Sequence, residues 1–143
     1  MTLSMHQASV PVFLRGLENL AAILAKGAAH AEAKKIDPAV FINARLAGVD
    51  VPSFADTETT FPELQARIAK TIDFVNGFKA AQIDGSEERT CILKVRGEEM
   101  KFRGQDYLFK LSLPNFFFHV TTTYDILRHN GVELGKMDYL GRS

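Results

Sequence analysis

Four histidines, a single cysteine and scattered carboxylates are the side chains of this sequence able to bind a metal, move a proton or attack a substrate. The histidines are His6, His30, His119 and His129. A metal ion needs donors converging on one point at about 2 Å. His119 and His129 share one helical segment but stand ten residues apart. On a continuous helix that separation is about 15 Å along the axis and roughly 80° in direction, so both cannot reach one ion. Asp125 and His129 are i and i+4 and can approach a common ion, which makes them the candidate metal ligands. The same spacing also produces ordinary exposed pairs.

A second constellation lies on the same segment. Asn115 and His119 are helical neighbours, as are Tyr124 and Arg128. Asn115, His119, Tyr124 and Arg128 are therefore candidate ligand-binding residues, with a neutral imidazole beside an amide able to orient a ligand or act as a base. The competing reading gives Asn115 to helix capping and Arg128 to the helix dipole. His119 follows three phenylalanines, which predicts a partly buried ring satisfied by the hydroxyls of Thr123 and Tyr124. Cys91 falls on the apolar face of a strand and reads as a buried, inert thiol. No Gly-x-Ser-x-Gly or CxxC motif occurs, and Gly131–Lys136 neither follows a strand nor opens a helix, so it is no phosphate loop. No catalytic residue is nominated.

Phe116, Phe117 and Phe118 cannot all face one core, because consecutive helical residues point about 100° apart. At least one ring must meet the hairpin, another helix or a second subunit, which is the sequence argument for a homodimer. A helix buried on every side is the alternative.

These residues need a scaffold. Phe13, Leu17, Leu20, Ala21, Leu24 and Ala28 recur at three- and four-residue steps and define a first amphipathic helix. It starts either at Ser9 with Pro11 in its first turn, or near Ser4 with Pro11 inside it. Asp37-Pro38 opens a short helix over Ala39–Ala47, and Val49–Thr59 reads as loop. Thr60-Phe61-Pro62-Glu63 is a capping box at the head of a helix carrying Leu64, Ile68, Ile72 and Val75; Asp84-Gly85 is a turn. From Arg89 to Phe102 the period changes to two, which predicts a β-hairpin turning at Gly97. An isolated hairpin is marginal, so its apolar face must lie against the bundle. Asp106 should cap a short helix over Tyr107–Leu113, and Pro114 then opens the last long helix, to His129. The tail from Val132 to Ser143 reads as irregular.

Three stretches, SVPVFLRGLENLAAIL, FADTETTFPELQARIAKTIDFV and GQDYLFKLSLPNFFFHVTTTYDILRHNGVELGK, resemble a bacterial domain-of-unknown-function family grouped with the DinB-like (DinB/YfiT) four-helix bundles. The resemblance covers most of the chain. It implies a mainly α, DinB-like up-down helical bundle with a short β-hairpin before the last long helix. Relatives carry another helix's worth of sequence where Ala47 here runs straight into Gly48. Either the second bundle helix is largely lost or its segment is missing from the sequence as it stands. A bundle short of one helix exposes an apolar groove, for which a partner subunit is the economical cover. Members of the superfamily often bind a divalent metal, zinc, nickel or iron, through one histidine of the second helix and two of the fourth, and some are thiol transferases or hydrolases. His129-Asn130-Gly131 resembles the end of that pattern, but Asp125 stands where a second histidine is expected. The enzyme implied by the resemblance would use His119 or His129.

Length and composition set the outer bounds. A chain of 143 residues, 46% hydrophobic and 24% charged, suits one globular domain spanning 1–143. Lysine plus arginine equals aspartate plus glutamate at 17 each, so nothing suggests a nucleic-acid partner. Zero net charge is compatible with self-association. A lone cysteine excludes an intrachain disulfide and favours a reducing compartment. No signal peptide is evident and the apolar stretches look too short for a membrane span, so the expectation is a cytoplasmic, homodimeric bundle that binds a small molecule or a protein, with no membrane contact.

Overall fold

The computed structural model describes residues 3–37, 58–95 and 98–141. The expected helix over Ala39–Ala47, most of the loop after it, the Ala47–Gly48 junction and the hairpin tip at Gly97 lie outside these residues. The described elements run α1 (Met5–Lys34), α2 (Phe61–Asn76), α3 (Ala80–Ile83), β1 (Thr90–Val95), β2 (Glu98–Arg103), α4 (Gly104–Asp106), a π-helical turn (Tyr107–Ser112), α5 (Leu113–His129) and α6 (Lys136–Leu140). The protein is mainly helical, with one small antiparallel sheet.

Of the two starts open to α1, the one at Ser4 is used. The Ser4 hydroxyl accepts the Gln7 N–H while the Gln7 side chain accepts the Ser4 N–H, a reciprocal cap that satisfies two orphan donors. Pro11 then lies inside the helix, where it removes one backbone bond. Ser9 is buried and donates to the Met5 carbonyl at 2.6 Å instead of capping. The predicted capping box of α2 is present, with Thr60 accepting the Glu63 N–H and Glu63 accepting the N–H groups of Thr59 and Thr60.

The core is built around α1. Leu17, Ile23, Leu24 and Ala31 pack with Phe61 and Ile68 of α2, Leu127 of α5, and Val132 and Leu134 beyond it. Ile23 is fully enclosed, a burial that stabilises the fold by about 1.5–3 kcal/mol. The expectation of an irregular tail is corrected here. Val132 and Leu134 join the core, and α6 is held to α1 by Lys26–Asp138 at 2.7 Å and by Arg15 and Asn19 donating to the carbonyls of Leu140 and Tyr139. The chain returns to the core because the apolar pair Val132/Leu134 is too sparse to show a helical period yet large enough to be worth burying.

By length and composition α1 could cross a membrane, with a mean hydropathy of 1.3 over its most apolar window. That corrects the reading that no stretch is long enough. Its apolarity comes from alanine-rich turns between polar residues rather than from an unbroken apolar run, and in the fold this helix carries the core of the bundle.

The hairpin has the register Cys91↔Phe102 and Leu93↔Met100, with Ile92↔Lys101 on the opposite face, as the alternation predicts. Its apolar face is only half covered. Cys91, Leu93 and Phe102 are half-buried and Met100 is exposed. Two strands alone cannot hide a face. Cys91 is therefore not the buried thiol expected.

From Gly104 to His129 the chain is one helical rod with no break at Pro114. Asp106 does not cap it; its carboxylate pairs with Lys110 and Arg103. The predicted short helix is the π-helical turn, in which the Leu113 N–H reaches back five residues to the Leu108 carbonyl. Pro114 supplies the reason. Its ring has no N–H and crowds the carbonyl four residues earlier, and a wider turn just upstream relieves the crowding without ending the helix.

Candidate functional site

The phase of α5 decides which of its residues can do chemistry. Phe116 turns inward, its ring 5.0 Å from that of Phe13 and against Gly16 of α1. Val120 and Leu127 follow on the same buried stripe. With 100° per residue, Phe117 falls on the flank and Phe118 on the outer face. The structure agrees. Phe117 is 37% exposed beside Pro11 and Val12 of α1, and Phe118 is 45% exposed. Phe109 on the π turn is equally bare.

His119 is exposed, against the expectation of partial burial. The Thr123 hydroxyl bonds the His119 backbone carbonyl at 3.0 Å, not its ring, and Tyr124 points elsewhere. Sequence alone cannot fix the rotation of a helix carrying three adjacent rings; Gly16 and Gly27 of α1, which receive Phe116 and Leu127, fix it. Asn115 is also exposed and, inside a continuous rod, caps nothing.

Tyr124 and Arg128 form a real unit. Arg128 Nη1 donates to the Tyr124 hydroxyl at 2.9 Å and to the Leu134 carbonyl at 2.6 Å, and the Tyr124 hydroxyl reaches the same carbonyl at 3.3 Å. The Tyr124 ring packs edge-on against Tyr139, whose hydroxyl meets Thr121 at 2.9 Å. This clamp holds the segment after α5 in place. It does not join Asn115 and His119 in a pocket, since Asn115 and Arg128 are about 20 Å apart on a helix rising 1.5 Å per residue. Asp125 and His129 lie on the outer face, both exposed.

A concave site that sequence reasoning missed sits at the foot of the hairpin. It is a cleft of about 580 Å³ between the start of α1, α3, β1 and the π turn, within the range of small-molecule pockets. Met5, Phe13, Ile83 and Leu108 form its apolar side, and Arg89 and Cys91 line it from the strand side. Its walls are tied together. The Asp84 carboxylate accepts the His6 N–H at 2.8 Å, and that bond holds it below the usual carboxylate range. The Gln105 N–H donates to the Glu87 carbonyl, and a β-carbon at Gly104 would collide with the Ser86 carbonyl. Asp106, bonded by Lys110 and then Arg103, is likewise pulled down.

The chain matches a family described as a domain of unknown function, DUF1993, over residues 5–49 and 44–140. The chain belongs to this family. The two stretches of the DUF1993 match meet at 44–49, which brackets the Ala47–Gly48 junction. A solved structure, a DinB family member protein from Shewanella denitrificans, is 34% identical; the match covers 96% of this chain and 92% of that one, with a TM-score of 0.80. This DUF1993 protein therefore has the DinB-like fold. No curated protein matches it.

A divalent metal, the group the superfamily implies, does not fit the described residues of this DUF1993 chain. Among them, no three His, Cys, Asp or Glu side chains come together as a metal-holding group. His119 and His129 are separated along an unbroken helix. None of the four histidines falls between residues 31 and 118, so the second-helix position has no imidazole to offer.

Proposed function

We propose that this DinB-like protein is a homodimeric binding module whose subunits meet through the outer face of α5. The observation that supports this is the exposure of Phe118, next to the half-covered Phe117, on a helix whose inner face is already filled by Phe116, Val120 and Leu127. Exposed aromatic surface of this kind is what protein interfaces are made from, and zero formal net charge offers little repulsion between copies. Its single, half-exposed cysteine suits a reducing cytoplasm. Light scattering over a hundredfold range of concentration tests the proposal. A mass of two chains that falls toward one on dilution supports it, and a single-chain mass at every concentration overturns it.

A further inference from the structure

We propose that the cleft at the foot of the hairpin binds a small apolar carboxylate, with the hydrocarbon body against Met5, Phe13, Ile83 and Leu108 and the carboxylate at Arg89. Three features carry this. The cleft is lined by four separate elements and has the size of a ligand site. One of its walls is the π-helical turn ahead of Pro114, a feature found frequently at functional sites. The third is charge. Arg103 and Lys110 nearby are already neutralised by Glu88 and Asp106. Arg89 is exposed at the rim, and no ion pair to it is present among the described residues. A guanidinium above an apolar floor favours an anion with a hydrocarbon tail, since its fork geometry matches a carboxylate.

The proposal rests on the protein being a binding module but not on its being a dimer. Cys91 lines the cleft and is the only cysteine of the chain, so its alkylation by neutral iodoacetamide reports occupancy at this one place. Octanoate is expected to slow the alkylation saturably. Arg89→Gln and, separately, replacement of octanoate by octanol should each raise the half-saturating concentration about tenfold. Arg89 is on the surface, so the variant folds. Absence of protection by octanoate up to its solubility limit overturns the proposal. So does equal protection by octanol, or by octanoate in Arg89→Gln, which would reveal a greasy depression without anion recognition. The same titration on Phe118→Asp separates the two readings: a monomeric Phe118→Asp with octanoate protection intact leaves the cleft standing whatever the fate of the dimer, and a wild-type dimer that octanoate does not protect overturns the cleft and leaves only the interface.

Discussion

Gly16 of α1 lies directly beneath the ring of Phe116 of α5, so close that a β-carbon at position 16 would strike it. Gly27 stands in the same relation to Leu127, with its missing β-carbon 3.0 Å from the leucine methyl. The pairs are spaced equally on the two helices, about three turns apart, so α1 and α5 run parallel. The α2 helix runs the other way, since Phe61 faces Gly27 and Gln65 bonds the Ala21 carbonyl. Two glycines thus seat two large side chains, and that seating turns Phe118 outward.

Gly16→Ala should therefore destabilise the fold by about 1–3 kcal/mol through overpacking, despite the gain of about 1 kcal/mol in helix propensity. Gly27→Ala should cost less, because a leucine end can shift. Combining Gly16→Ala with Phe116→Ala should cost less than the sum of the two, and denaturant titration of the cycle measures the difference. Strict additivity would mean the ring does not occupy that space.

The cap of α2 makes a pH-dependent contribution. The Thr59 N–H, then Thr60, hold the Glu63 carboxyl below its ordinary value. A carboxyl lowered in the folded state contributes fully above its unfolded value, and the contribution is lost as pH falls through the lowered one. Glu63→Gln should therefore lower Tm at neutral pH, with the gap to wild type closing under acid. Thr60→Ala should cost about 1 kcal/mol at neutral pH. A gap for Glu63→Gln that is constant with pH would show the charge to be irrelevant.

The Arg128 clamp should govern the segment after α5. Arg128→Ala removes the bonds to the Tyr124 hydroxyl and the Leu134 carbonyl and should cost about 1 kcal/mol. Amide exchange should quicken over residues 132–140, with α2 unaffected. Tyr124→Phe should give a weaker version of the same pattern. Exchange rates that do not change would show that burial of Val132 and Leu134 suffices alone.

What the sequence reveals and what it hides divide along physical lines. The Thr60–Glu63 box and the Cys91–Phe102 pairing were legible because each depends on residues close together in the chain. The exposure of His119 was not, because the rotation of α5 is set by Gly16 and Gly27, a hundred residues away. The rod passing through Pro114 was hidden for a related reason: a proline normally signals a boundary, and only the π turn before it lets the helix continue. The cleft joins four elements, and no local pattern announces such a meeting.

Metal binding follows the same geometry. Added zinc or nickel should leave Tm unchanged, since a ligand of the folded state must raise it, and elemental analysis of the purified protein should find no stoichiometric metal. A stoichiometric ion that disappears in His129→Ala would show that His129 holds a metal after all, with Asp125 as its neighbouring donor, and would overturn this expectation.

The central claim is that subunits join through the outer face of α5, and sedimentation of two matched variants tests it most directly. Phe118 is 45% exposed on α5, whereas Phe74 on α2 is 67% exposed and stacks with Phe78. Phe118→Asp should sediment as one chain at concentrations where wild type and Phe74→Asp sediment as two. A Phe118→Asp protein that stays dimeric while Phe74→Asp dissociates would move the interface to α2 and contradict the account.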